Sequence, residues 1–238
     1  MSIATANAIL DGLNGHEADA LQAGARDVPL ERGAVIADLG EPSPYLYFPT
    51  RGVLSLVGST SGGATVEVAV VGSEGLASLS AALGGDWLPY RILTQVPGRA
   101  IRVPTEVVSS LLGECGELHE RVMDYAQQLI AQVAQSAVCN RFHNARQRLA
   151  RWLLMTADRA GTNELPLTHE FISCMVGGPR SAVTEAAAEL RQSGSIDYRR
   201  GLITICSHER LRAQSCECYE LAGARTRRQG AGAASAIS

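Results

Sequence analysis

Arg180, Ser181, Thr184 and Glu185 open a stretch of helical periodicity and together offer the hydrogen-bonding characters that the edges of nucleobases present. A guanidinium fits guanine O6 and N7, a hydroxyl serves either base type, and a carboxylate accepts from cytosine N4. The surrounding stretch, residues 165–191, reads "LPLTHEFISCMVGGPRSAVTEAAAELR". Its first half gathers Phe171, Ile172, Met175 and Val176 on one apolar face, with Thr168 placed to cap the N-terminus. Gly177-Gly178-Pro179 then allows a sharp corner, and proline suits the first turn of the helix that follows. In that second helix Val183, Ala187 and Leu190 fall on one side and the four polar residues on the other, near the helix start. A major groove admits such a helix, with its leading side chains at base edges and its N–H dipoles toward phosphate.

Two helices with a polar outer face are common, and such faces are usually only solvated. The next segment shifts the balance toward DNA. "SIDYRRGLITI", residues 195–205, is a hairpin turning at Arg199-Arg200-Gly201, so the unit is a winged helix-turn-helix with two arginines at the wing tip. Arg199 and Arg200 are placed to neutralise phosphates or enter a minor groove. With Thr168 they complete the DNA-facing set.

Other chemistries find little support. All 21 basic residues are arginine, which removes the lysine of P-loops, Schiff bases and lysine general bases. The six cysteines are scattered; Cys216-x-Cys218 is the one close pair, and no second pair or nearby histidine in the sequence completes a zinc site. Gly58–Gly62 puts threonine where a nucleophile elbow needs serine. A cupin-like enzyme would need histidine and carboxylate ligands on adjacent strands, and residues 27–103 hold no histidine. The expectation is therefore no catalytic residue, no metal and no cofactor.

The formal net charge of −3 conceals an asymmetry. Residues 1–114 carry six arginines against twelve acids, whereas residues 141–212 carry eleven against seven. The excess of positive charge thus sits on the two-helix unit. No uncharged run is apolar enough to span a bilayer, and the N-terminus lacks the basic start of a secretory signal, so a cytoplasmic protein is expected.

The elements that must position the reader follow from periodicity. Residues 27–103 show short β-branched runs cut by Gly, Pro and Ser: 45–49, 53–58, 65–72, 91–96 and 100–103. This grammar predicts an antiparallel jelly roll or barrel. A helix capped by Thr105 follows, and then a long one. Along it Leu118, Val122, Tyr125, Leu129, Gln132, Ser136 and Cys139 step by four and three, beside a second stripe of Ile130, Ala134 and Val138. A helix so patterned suits packing on its own domain and on a twin, and Leu118, Val122, Tyr125, Leu129, Gln132 and Ser136 are its expected dimerisation residues. Another amphipathic helix, residues 145–159, turns Leu149, Trp152, Leu153 and Thr156 inward.

Over residues 27–220 the chain resembles transcription regulators of the cyclic-AMP receptor/fumarate-nitrate regulator (Crp/Fnr) class. The resemblance rests on "YLYFPTRGVLSLV" and "VEVAVVGSEGL" in the roll, "RQRLARWLLMTADR", and the spacing of Leu167, Thr168, Glu170, Gly177, Arg180 and Val183. It implies an α+β chain: an N-terminal antiparallel β-roll of the cyclic-nucleotide-binding-like jelly-roll type, a long dimerisation helix and a C-terminal winged helix-turn-helix. It further implies a homodimer on an inverted-repeat site in double-stranded DNA, with RNA polymerase recruited or obstructed. The expected divisions are an N-terminal helical segment 1–26, a roll 27–114, a dimerisation helix 115–140, a DNA-binding domain 141–221 and a disordered tail 222–238.

Departures from the class are equally informative. Cyclic-nucleotide members carry Gly-Glu-Leu and a later Arg-Ser or Arg-Thr pair that grips the phosphate. Here the first reads Glu74-Gly75-Leu76 and the second Leu88-Pro89-Tyr90-Arg91, and an unpaired phosphate would be prohibitive inside an apolar roll. The first cysteine is Cys115, far from the N-terminal cluster of iron–sulfur members, and no histidine stands between His16 and His119 for haem. The effector is left unassigned. A ligand-sensing regulator that acts by protein contact alone is the competing reading, favoured by Glu185 and the modest charge excess.

Overall fold

The structure, a computed structural model, describes residues 5–199 and 201–221, with His169 described by its backbone alone. Arg200 and the expected tail lie outside these residues. The described chain divides into two compact units, one running to Ala126 and including Arg159–Gly161, the other taking Gln127–Asp158 and the residues from Thr162. The long helix is thus shared between the units.

The first unit contains α1 (Gly15–Gly24), β1 (Arg26–Leu30), β2 (Val35–Ala37), β3 (Tyr45–Ser59), β4 (Thr65–Val71), α2 (Leu79–Ala82), β5 (Arg91–Pro104) and α3 (Thr105–Gly113). The sheet is antiparallel, with order β1-β5-β3-β4 and β2 also pairing with β5. Leu46, Phe48, Leu54 and Leu56 of β3 and Ile92, Val96, Ala100 and Val103 of β5 are buried. Burial alternates only at the start of β3, around Leu46 and Phe48; from Val53 to Val57 every residue is buried, so both faces of that half of the strand are covered.

The expected short runs at 45–49 and 53–58 form one strand, as do those at 91–96 and 100–103. Glycine explains the difference, because here it bends the strands without ending them. The β3–β5 register slips between Pro49 and Val53, where Gly52 takes φ 88° and Gly98 lies opposite. A Cβ on Gly98 would stand 2.0 Å from the Arg51 carbonyl oxygen. The two backbones therefore touch, and the paired strands coil there without breaking.

Thr105 does not cap α3; that position belongs to Pro104, and the Thr105 hydroxyl donates to the Ser43 carbonyl at 2.6 Å.

The long helix, α4 (Glu117–Phe142), begins where the Glu17 carboxylate accepts from Leu118 N–H at 3.1 Å. A charge from α1 thereby satisfies an otherwise orphaned donor. Leu118, Val122, Tyr125, Leu129 and Ser136 are buried and Gln132 is half-buried. The first five are closed off inside the chain, and Gln132 only partly so. The stripe that faces outward is the second one: Ile130 is 68% exposed and Val138 46%, with Val133, Ala134 and Ala137 open beside them.

The second unit continues from α4 through α5 (Ala145–Ala160), β6 (Glu164–Leu165), α6 (His169–Val176), α7 (Arg180–Gln192), β7 (Ile196–Arg199), β8 (Leu202–Ile205) and α8 (His208–Gln214). Leu149, Trp152, Leu153 and Thr156 of α5 are buried, as their spacing requires. A three-stranded sheet, β6-β8-β7, forms the wing. No helix among the described residues is long and apolar enough to cross a membrane.

Candidate nucleic-acid interface

The corner between α6 and α7 is fixed by local chemistry at both ends. The Thr168 hydroxyl accepts from Phe171 N–H at 3.2 Å, which caps α6. Gly177 and Gly178 take φ 67° and 148°, values that side-chain-bearing residues rarely adopt, and Pro179 stands directly before α7. Arg148 of α5 holds the corner from behind, donating to the Gly177 carbonyl at 2.8 Å and to the Asn140 carbonyl at 3.2 Å. Sequence spacing gave no sign of this role for Arg148, which rests on contacts 29 and 8 residues apart.

On α7, Val183, Ala186, Ala187 and Leu190 are buried, while Arg180, Ser181, Thr184 and Glu185 are exposed. The helix thus divides along its length as its periodicity predicts. The same outward arc also carries Ala188 and Arg191, which the sequence reading omitted because they lie in the later turns. A shallow groove between the start of α5 and the flank of α7 is lined by Asn144, Arg146, Ala182, Glu185 and Glu189.

The outward cations are held on carboxylates of their own unit. Arg180 pairs with Glu170 of α6 across the corner. Asp197 of β7 accepts from Arg199 at 2.8 Å and lies 3.2 Å from Arg191. The Tyr198 N–H, then the charges of Arg199 and Arg191, hold the Asp197 carboxyl below its ordinary value. These pairs are exposed and screened by solvent, so each holds its arginine only weakly. Glu170→Gln is therefore expected to tighten DNA binding about 1.5- to 5-fold by freeing Arg180, as measured by fluorescence anisotropy at fixed ionic strength.

The positions singled out in the roll are engaged in its own structure. Arg91 donates to both carboxylate oxygens of Asp38, at 2.8 and 3.0 Å, on the exposed side of the sheet. Glu74 accepts from Arg159 at 2.6 Å, beside the buried Tyr125 ring. Burial, and after it the Glu74 charge, raise the Tyr125 hydroxyl well above its usual pKa.

One constellation adds to what the spacing of Cys216-x-Cys218 suggests. Folding brings Cys139 and His143, at the end of α4, to that pair, and the four donor atoms lie within 4.8 Å of one another. Sequence spacing could not show this, since 77 residues separate Cys139 from Cys216. The Cys139 and Cys216 sulfurs, 3.5 Å apart, share a hydrogen bond that holds the Cys139 thiol below its ordinary pKa and pushes Cys216 up.

Comparison with known proteins agrees with this architecture. Residues 147–214 match the family model of the Crp-like helix-turn-helix domain. A global nitrogen regulator from Synechococcus elongatus is 24% identical over 184 residues, covering 74% of this chain and 83% of its own. Among solved structures, a transcriptional regulator of the Crp/Fnr family from Eubacterium rectale superposes with a TM-score of 0.67 at 19% identity, covering 85% of this chain and 94% of that one. FixK2 from Bradyrhizobium japonicum gives 0.68 at 16% identity, over 81% and 98%. At these identities the structures speak for the fold.

Proposed function

We propose that this chain, which carries a Crp-like helix-turn-helix domain, is a transcription regulator acting as a homodimer on an inverted-repeat site in double-stranded DNA. The observation that carries the proposal is the outward arc of α7, polar and exposed, opened by Arg180 at the N-terminal end. In a major groove Arg180 pairs with guanine, Ser181 and Thr184 read neighbouring edges, and Glu185 accepts from cytosine. Arg199 and, by its place in the sequence, Arg200 meet phosphates, and the α6 N-terminus at Thr168 lies against the backbone.

The second copy packs on the exposed apolar stripe of α4, from Ile130 through Val133 and Ala134 to Val138. Two recognition helices related by a twofold axis then call for half-sites one turn of duplex apart or a multiple of it. Bound at a promoter in the cytoplasm, the dimer recruits or obstructs RNA polymerase. DNA affinity that falls with added salt separates this reading from regulation by protein contact alone, because phosphate contacts release counterions.

Selection from random DNA with the purified chain, followed by titration of variants, tests the proposal. Arg180→Ala should lose about 1–3 kcal/mol at one base pair, roughly 5- to 150-fold in affinity for the selected site and far less on scrambled DNA. Arg199→Ala should weaken both alike. Equal losses on both DNAs for Arg180→Ala, or selected sequences without mirrored halves, would overturn it.

A further inference from the structure

We propose that Cys139, His143, Cys216 and Cys218 form a tetrahedral zinc site that ties the end of α4 to the segment following α8. Four donors converge from two stretches of chain. Cys139 and His143 lie one helical turn apart, with His143 N–H donating to the Cys139 carbonyl at 3.1 Å. Cys216 and Cys218 approach from the other side, and their flanking residues are joined by a Tyr219 N–H bond to the Cys216 carbonyl at 3.1 Å. All three cysteines are buried and unpaired by disulfides.

The distances distinguish a metal site from other uses of thiols. Zinc at about 2.3 Å from sulfur and about 2.0–2.1 Å from nitrogen sets tetrahedral edges of roughly 3.8 Å between sulfurs and 3.6 Å between sulfur and nitrogen. The Cys139 and Cys216 sulfurs are 3.5 Å apart, and the Cys218 sulfur is 3.6 Å from His143 Nδ1. A disulfide would need about 2.05 Å. An iron–sulfur cluster spreads its ligands over several irons, whereas these four atoms fit within 4.8 Å.

The surroundings suit an anionic metal centre and do not suit buried thiols kept as small hydrophobes. The other ring nitrogen of His143, Nε2, is 3.2 Å from the Glu217 carboxylate. That contact leaves Nδ1 as the free ligand atom and aims it, as a carboxylate does behind a metal-bound histidine. Gln135 Nε2 donates to the Cys218 sulfur at 3.0 Å. Arg151 is only 7% exposed; its Nε lacks a hydrogen-bond partner and no carboxylate pairs with it among the described residues. Zinc with three thiolates and a neutral imidazole carries one negative charge, which that buried guanidinium balances. The two ligand pairs bracket the winged helix-turn-helix in the sequence, so the metal would fasten its two ends to each other and to the α4 terminus.

The test uses the full chain, purified under reducing conditions, and its readout is independent of DNA binding. Elemental analysis should find about one zinc per chain, and exchange for cobalt(II) should give the visible absorption of a tetrahedral thiolate complex. Cys139→Ser and Cys216→Ser should each lose the stoichiometric metal. Should those variants fail to fold, Glu217→Gln decides, because it keeps every donor and should weaken zinc affinity about 10- to 100-fold in competition with a chromogenic chelator. Zinc absent with no cobalt spectrum on reconstitution, zinc retained in full by Cys139→Ser, unaltered affinity in Glu217→Gln, or iron and sulfide in place of zinc would each overturn the proposal.

Discussion

Placing a methyl group on Gly98 is expected to lower the melting temperature of the roll by roughly 10 °C, corresponding to a loss of about 3 kcal/mol or more. The new carbon would meet the Arg51 carbonyl oxygen at 2.0 Å, its carbon at 2.4 Å and Gly52 N at 2.7 Å. All three are backbone atoms of the facing strand, so no side chain can rotate away. Relief requires separating β3 from β5 at the point where both bend. Overpacking typically costs 1–3 kcal/mol, and a contact between two main chains belongs at or above the top of that range. Gly113→Ala supplies the control, since a Cβ there meets nothing within 4 Å. It ends α3 and should be neutral or slightly stabilising. Thermal unfolding followed by circular dichroism compares the two variants directly; equal melting temperatures would refute the tight crossing.

Arg159→Ala is expected to cost about 3 kcal/mol in chemical denaturation. Its partner Glu74 lies in the turn after β4, and the pair stands at 2.6 Å with side chains 18% and 27% exposed. Gly72 leaves room for it: a Cβ there would press on Glu74 Oε2 at 2.7 Å and on the Arg159 Cβ at 3.0 Å. Removing one partner strands a carboxylate next to the Tyr125 ring. Removing a partner from a buried pair costs about 3–5 kcal/mol, and the residual exposure of this one argues for the lower end. The double variant Glu74→Gln/Arg159→Met should recover most of the loss, because it removes both charges and keeps the volume. A double variant no better than the single would show that Arg159 matters through packing alone.

How far the sequence disclosed this molecule depended on the distance between interacting residues. The helix-turn-helix was legible because its determinants are local: the Thr168 cap, the glycine corner before Pro179, and the spacing of Val183, Ala187 and Leu190 within a few turns. The strands were legible in type but not in length. Gly52 and Gly98 have the appearance of punctuation, and only their apposition reveals that the chain bends through them.

The α4 stripe illustrates a different limit. Periodicity shows that one side of a helix is apolar, yet it cannot say whether the same chain or a second copy covers that side; Leu118 and Val122 proved to be covered internally. The cysteine–histidine constellation was invisible for a third reason. Its halves are each unremarkable, and nothing in either implies the other.

The self-paired arginines of the DNA-binding unit have a consequence for behaviour in solutions of different ionic strength. A cation that arrives at DNA from open solvent releases a bound counterion, and affinity then falls steeply as electrolyte is added. Arg180 and Arg199 instead begin on Glu170 and Asp197. On the proposed transfer of both arginines to DNA, those carboxylates would be left to gather small cations from the medium, cancelling part of the release. The dependence on electrolyte should accordingly be shallower than a count of arginines at the duplex would give, and occupancy of a target would hold steadier through osmotic change.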